Sequence, residues 1–145
     1  METLFTHDEI IINTPIEQVW DMLINPEKTK LYMFGCEVIS SWEIGSELLW
    51  KGASDGIVYV KGNLVSLIPN KEFAFTLIDP QAAYEDIPEN YLTATYTLEE
   101  TGAGIKLTAT QGDYNVVAEG QKRYEDTMKG GGWMPVLEGI KKLVE

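Results

Sequence analysis

The feature of this sequence that most constrains its fold is a change of hydrophobic period. Between Cys36 and Gln111 apolar side chains recur at every second residue, whereas on either side they recur at helical spacing. The alternation is clearest in LTATYTL, with Leu92, Ala94, Tyr96 and Leu98 on one face and Thr93, Thr95 and Thr97 on the other. IKLTATQ repeats it with Ile105, Leu107, Ala109 and Gln111. Successive side chains of a strand point to opposite faces, so each stretch is a strand with one buried and one wet face. Residues 99 to 104 join them, with Gly102 and Gly104 as turn formers, which predicts an antiparallel hairpin.

The same period places Leu48 and Trp50 on one side of LLWKG, and Phe73 and Phe75 on one side of KEFAFTL. GIVYVKGNLVSLI reads as a long strand with Gly62 inside it. There the inward set is open: Tyr59 faces in, or Val58, Val60 and Leu64 do, and Gly62 is a candidate bulge that would change the register. Ahead of this run, residues 4 to 13 predict a first strand, and Asn13-Thr14-Pro15 a helix start. Thr14 is the expected N-cap, Pro15 the first helical residue, and Glu17 the partner that completes a capping box. Ile16, Val19, Trp20 and Leu23 carry the apolar stripe, and Asn25-Pro26 ends that helix and opens a short second one over residues 27 to 32.

After Gln111, residues 116 to 129 predict a polar-faced helix. GGG at 130 to 132, followed by Pro135, predicts a bend near residue 131, and Trp133, Leu137, Ile140 and Val144 continue an apolar stripe. Strand, two helices, about six strands and a terminal helix make an α+β chain whose last helix lies on the apolar face of a curved sheet.

Composition narrows the function. The chain has 145 residues, one core's worth, and is read as one domain over 1–145. Eleven basic against 23 acidic side chains give a net charge of -12, which argues against nucleic acid, whose affinity comes from Lys and Arg, and against anionic membranes. No apolar run approaches the roughly 20 residues of a membrane span. The single cysteine, Cys36, forbids an internal disulfide, and with one histidine it cannot complete a zinc site. The start METLFTHDEI lacks the features of a signal peptide, so a cytoplasmic location is expected.

In sequence, TPIEQVWDMLINPEK, WEIGSELLWKG, DGIVYVKGNLVSLIPNKEFAFT and GGGWMPVLEGIKKLVE occur in the order seen in stand-alone proteins of the activator of heat-shock protein 90 ATPase homologue family. The chain resembles that family from about residue 8 to its end. The family belongs to the START-like, or SRPBCC, superfamily. The resemblance implies the helix-grip, Bet v 1-like fold: a curved antiparallel sheet of six or seven strands around a long C-terminal helix, two short helices after the first strand, and a cavity between sheet and helix. Two departures stand out. Eukaryotic chaperone activators carry a separate N-terminal module for which this sequence has no room, and the two further glycines before the Gly-Trp of the terminal helix predict extra mobility there.

On the superfamily's precedent, function is expected in the cavity, as the enclosure of a small hydrophobic or amphipathic molecule. The expected lining, drawn from the apolar strand faces and the last helix, is Trp50, Tyr59, Phe75, Tyr96, Gln111, Trp133 and Leu137. For any one of them ordinary core packing is the competing account; collectively, an apolar pocket with a few polar groups is what a small-molecule site looks like. No catalytic residue, metal ligand or cofactor site is assigned. His7 reads as a surface residue, Cys36 as a small buried hydrophobe, and Arg123, the one arginine, as lying on the outer face of the last helix. GGG lacks the Lys-Ser/Thr of a phosphate loop. The acidic run DPQAAYEDIPE, holding Asp79, Glu85, Asp86 and Glu89, is not spaced for calcium. Residues 79 to 91 are long for a hairpin connection and are read as a flap over one cavity mouth, with Tyr84, Ile87 and Tyr91 as its apolar contacts.

Three functions are thus in view: a non-enzymatic binding protein, a chaperone-regulating interaction protein, and a cyclase or dehydratase of polyketide-like substrates. Binding is favoured over catalysis because the inward-facing sets hold almost no ionisable group. Monomer and homodimer both stay open. Residues 118 to 145 carry five basic and five acidic side chains, so the negative surplus lies in the first 117 residues, and an entering ligand is expected to be neutral or cationic.

Overall fold

A computed structural model describes residues 2–145. Seven antiparallel strands form one curved sheet in the order β1-β7-β6-β5-β4-β3-β2. They are β1 (Thr6–Ile12), β2 (Cys36–Ser40), β3 (Glu47–Gly52), β4 (Val58–Ile68), β5 (Glu72–Leu77), β6 (Leu92–Thr101) and β7 (Gly104–Gly112). Helices α1 (Ile16–Ile24) and α2 (Pro26–Tyr32) follow β1, and α3 (Gly120–Lys129) and α4 (Met134–Val144) close the chain. This is the α+β helix-grip arrangement, and β6 and β7 pair as the alternation predicts, with Tyr96 opposite Ala109 and Leu98 opposite Leu107.

The helix start differs from its expectation. Pro15 itself is the N-cap of α1 and makes no side-chain cap bond, while the Thr14 hydroxyl donates to Gln18 Oε1 at 3.1 Å. Asn25 caps α2 as the sequence suggests, its side-chain oxygen accepting from Glu27 N at 3.0 Å. Val19, Trp20, Met22 and Leu23 of α1 and Val136, Leu137 and Ile140 of α4 are buried in the core shared with the sheet. Burying one such side chain contributes about 1.5–3 kcal/mol.

Gly62 is not itself a bulge. A Cβ there would sit 1.7 Å from the Thr76 carbonyl oxygen, so glycine is required for β4 to approach β5. The bulges flank it. Opposite β3 the pairing jumps from Val60 to Val58, leaving Tyr59 extra, and opposite β5 it jumps from Leu64 to Ser66, leaving Val65 extra. Both sheet edges are occupied by side chains. At β2 the buried Thr29 of α2 donates its hydroxyl to Cys36 O and accepts from Val38 N, each at 3.1 Å, in place of a further strand. At β1, Lys141 donates to Ile11 O at 2.8 Å and Glu145 accepts from Asn13 N at 2.8 Å. Unpaired edges invite pairing with other chains, and these contacts blunt them.

The C-terminal helical segment bends where GGG predicts. α3 begins at Gly120 rather than near 116, and it ends as Gly131 and Gly132 adopt left-handed φ values of 90° and 64°. Two successive left-handed residues cannot continue a helix, and glycine adopts them without a Cβ clash.

Candidate functional site

Between the sheet, the turn that joins α2 to β2, and Trp133 just ahead of α4 lies a cavity of about 570 Å³. Trp50 of β3, Tyr59 and Val60 of β4, Phe75 and Leu77 of β5, Gln111 of β7 and Cys36 of β2 supply the sheet side of its wall, and Met33, Phe34 and Trp133 supply the rest. Five of the seven residues expected from sequence are thus brought together: Trp50, Tyr59, Phe75, Gln111 and Trp133. Tyr96 and Leu137 are not on the wall. Both are core residues, 1% and 0% exposed. The ring of Tyr96 stacks with Phe73 at 6.0 Å and meets Trp133 edge-on at 5.4 Å, so it supports the wall without forming it.

The bulge resolves the open choice in β4. With Tyr59 outside the ladder to β3, the strict alternation breaks and the neighbours Tyr59 and Val60 both reach the cavity. Tyr59 sits at the rim, 46% exposed, and its hydroxyl donates to Asp55 Oδ2 at 2.5 Å. That bond, with a second from Ile57 N, holds the Asp55 carboxyl below the usual carboxylate range, and it raises the phenol of Tyr59. The buried Cys36 thiol is pushed up by desolvation first and by Asp55 second, which disfavours the reactive thiolate.

Polar groups of the wall are bonded mainly to one another. The Trp133 indole N–H donates to Gln111 Oε1 at 3.1 Å, and Gln111 Nε2 donates to the Tyr114 hydroxyl at 2.6 Å. Tyr114 in turn donates to Thr127 Oγ1 at 3.2 Å, and Thr127 to the carbonyl of Arg123 at 2.9 Å. Trp133 is also held by its backbone, whose N–H donates to Asp8 Oδ2 at 3.0 Å. Gln111 was legible as the polar member of an inward strand face. Tyr114 and Thr127 were not, because both lie beyond the last strand, where no alternation assigns a side chain to the cavity side.

No residue of 79–91 lines this cavity, which corrects the flap reading. Asp86 of that segment pairs with Lys61 and accepts from the Tyr91 hydroxyl, and Arg123 holds the rest. The Arg123 guanidinium lies 4.2 Å from the Tyr84 ring centroid and donates to Asn90 O at 2.9 Å, so it clasps this loop to α3 instead of standing free on an outer face. His7 is at the surface, 3.2 Å from Glu9 Oε2. Among the described residues no group of three or more His, Cys, Asp or Glu side chains is placed to hold a metal ion, and no helix is long and apolar enough to cross a membrane.

A curved antiparallel sheet closed by a C-terminal helical segment, with an apolar cavity on the sheet beside Trp133, defines a START-like helix-grip protein. The family model described as Activator of Hsp90 ATPase homolog 1-like protein matches residues 13–145, and the chain belongs to that family. A solution structure from Cytophaga hutchinsonii is 38% identical, with 99% of this chain and 95% of that one covered and a TM-score of 0.73. The solution structure of an Aha1 dimer from Colwellia psychrerythraea is 15% identical, covering 98% and 96% at a TM-score of 0.71. A crystal structure of DynU16, described as a putative protein in the dynemicin biosynthetic locus, is 12% identical, covering 95% of this chain but 46% of that one at a TM-score of 0.71. These last two likenesses show the fold alone. Comparison with curated proteins returned no match.

Proposed function

We propose that this chain, acting as one domain over 1–145, is a non-enzymatic binding protein that encloses a neutral, largely apolar small molecule between the sheet, the turn joining α2 to β2, and Trp133. Trp50, Tyr59, Phe75, Gln111 and Trp133 meet the ligand, and Tyr96 and Leu137 back the wall. The observation that carries this reading is the lining itself: about 570 Å³ bounded by ten residues, none of them Asp, Glu, Lys, Arg or His. That volume falls within the roughly 300–1,000 Å³ typical of small-molecule sites. A cyclase or dehydratase moves protons with ionisable groups inside its cavity, and the lining offers the raised thiol of Cys36 and the Asp55-bonded phenol of Tyr59.

The test uses two dyes with one ring system, neutral N-phenyl-1-naphthylamine and its anionic relative 1-anilinonaphthalene-8-sulfonate. The neutral dye is expected to bind at least tenfold more tightly, because the cavity offers no cation and its rim carries Asp55. At 100 times its Kd it would add about 2.7 kcal/mol, and Val60→Trp, which fills part of the cavity, should weaken it. No uptake of the neutral dye, or uptake indifferent to Val60→Trp, would count against the reading. A second reading, contact with a chaperone of the Hsp90 class, is favoured by the family's description and by the negative surplus of the first 117 residues. Salt-sensitive co-purification and stimulation of the chaperone's ATPase would distinguish it.

A further inference from the structure

The turn between α2 and β2 presents an aromatic ring that the fold itself does not bury. Met33, Phe34 and Gly35 connect Tyr32 to Cys36, and two of them are left-handed, Phe34 with φ of 53° and Gly35 with φ of 79°. The left-handed region suits glycine and asparagine; a bulky side chain there is an outlier that persists only where its surroundings hold it. This turn is held. Met33 N donates to Thr29 O at 2.8 Å, Cys36 N donates to Met33 O at 2.9 Å, and Ala53 N donates to Gly35 O at 2.9 Å.

Phe34 is also 83% exposed, the most exposed large hydrophobic among the described residues. Two unfavourable features therefore coincide at one position, and a glycine or asparagine would remove both. Neither backbone conformation nor core packing accounts for a phenylalanine. Its location does. Phe34 lines the 570 Å³ cavity and a neighbouring one of about 170 Å³, and both also share Met33, Gln111 and Trp133. The smaller cavity is bounded further by Gly130 and Gly132, so the strained turn and the glycine break both border it.

We infer that Phe34 is the closing contact of the ligand site: a ligand seated against Trp50 and Phe75 extends to the mouth and covers the Phe34 ring. This deepens the binding reading and rests on it. It also narrows the ligand class. Aromatic rings stand at depth (Trp50, Phe75), on the flank (Trp133) and at the rim (Tyr59, Phe34), which favours an elongated, neutral aromatic or polycyclic molecule able to meet several rings at once. A short aliphatic molecule would satisfy the deep contacts and leave Phe34 in water.

The test measures N-phenyl-1-naphthylamine binding and release, and thermal unfolding, for the wild type, Phe34→Gly, Phe34→Asn and Val60→Trp. Both Phe34 variants are expected to melt no lower than the wild type, since each relieves the left-handed strain and removes exposed apolar surface. Each should raise the Kd about tenfold, equivalent to about 1.4 kcal/mol, chiefly through faster release. Unchanged affinity and release in both Phe34 variants, alongside weakened uptake in Val60→Trp, would overturn this inference and leave the binding reading standing. Absence of uptake by the wild type would overturn both. Lower melting of both variants would assign Phe34 a structural role and likewise refute the inference.

Discussion

Two tyrosines, each 1% exposed, should respond in opposite directions to the loss of the same atom. The Tyr96 hydroxyl is buried with no hydrogen-bonding partner among the described residues, and desolvation holds its ionisation well above the usual tyrosine range. Its ring is fixed by Phe73 and Trp133, contacts that phenylalanine keeps. Tyr96→Phe removes an unmet polar group and little else. Tyr114 is the contrasting case. Its hydroxyl accepts from Gln111 and donates to Thr127, so Tyr114→Phe breaks two bonds and leaves the buried Gln111 amide and the half-buried Thr127 hydroxyl each short of a partner.

Leaving a buried polar group unsatisfied costs about 1–3 kcal/mol. On that scale Tyr96→Phe should stabilise the fold by about 1 kcal/mol, and Tyr114→Phe should destabilise it by about 2 kcal/mol. For a chain of this size 1 kcal/mol corresponds to roughly 2–4 °C in Tm, so the two variants should be separated by on the order of 9 °C. Urea unfolding followed by far-ultraviolet circular dichroism gives the free energies, and equal m-values would show that the two denatured states match. A Tyr96→Phe variant that loses more than about 0.5 kcal/mol, or loses as much as Tyr114→Phe, would refute the claim that hydrogen-bond satisfaction separates these residues.

Two further outcomes concern the sheet edge and the loop. Thr29→Val keeps the shape but ends the bonds to Cys36 O and Val38 N; it should cost about 2 kcal/mol and promote edge association, read by urea unfolding and size-exclusion chromatography. The Asp86 carboxyl is held below its ordinary value chiefly by Lys61 and secondarily by Tyr91. A lowered folded pKa contributes stability above the ordinary carboxylate value of about 3.9 and loses it as pH falls through the folded value. The wild type's advantage over Lys61→Met should therefore hold steady near neutrality and shrink below about pH 4; an undiminished advantage at about pH 2 would contradict the pairing.

What the sequence made legible follows from periodicity, and what it hid follows from its absence. The inward placement of Trp50, Phe75 and Gln111 comes from alternation within β3, β5 and β7, because the extra residue of each bulge lies on β4 and leaves the parity of those strands intact. Tyr59 was ambiguous because alternation must choose one parity, whereas a bulge admits Tyr59 and Val60 together. Met33 and Phe34 were invisible as wall residues, since a three-residue turn has no period. The segment 79–91 was read as a flap from its length, yet its position is decided by Lys61 and Arg123, which meet Asp86, Tyr84 and Asn90 across large sequence separations.

The glycines at 130 to 132 show how a local weakness can serve a distant site. Read alone they are a helix break, and each glycine in a helix costs about 1 kcal/mol relative to alanine. In the structure the left-handed pair Gly131 and Gly132 turns the chain between α3 and α4, so that the residue that follows is Trp133 with its N–H on Asp8 and its indole on Gln111. A Cβ on Gly132 would stand 2.8 Å from Asp8 Oδ2, in the space that the anchoring carboxylate occupies. An uninterrupted helix would carry Trp133 at a fixed angle to Lys129 and Leu137 on one cylinder. The break frees its direction, and β1 and β7 then set it through Asp8 and Gln111. Trp133 belongs to the cavity wall because two strands hold it there, and they can do so because α3 ends at Lys129, four residues before it.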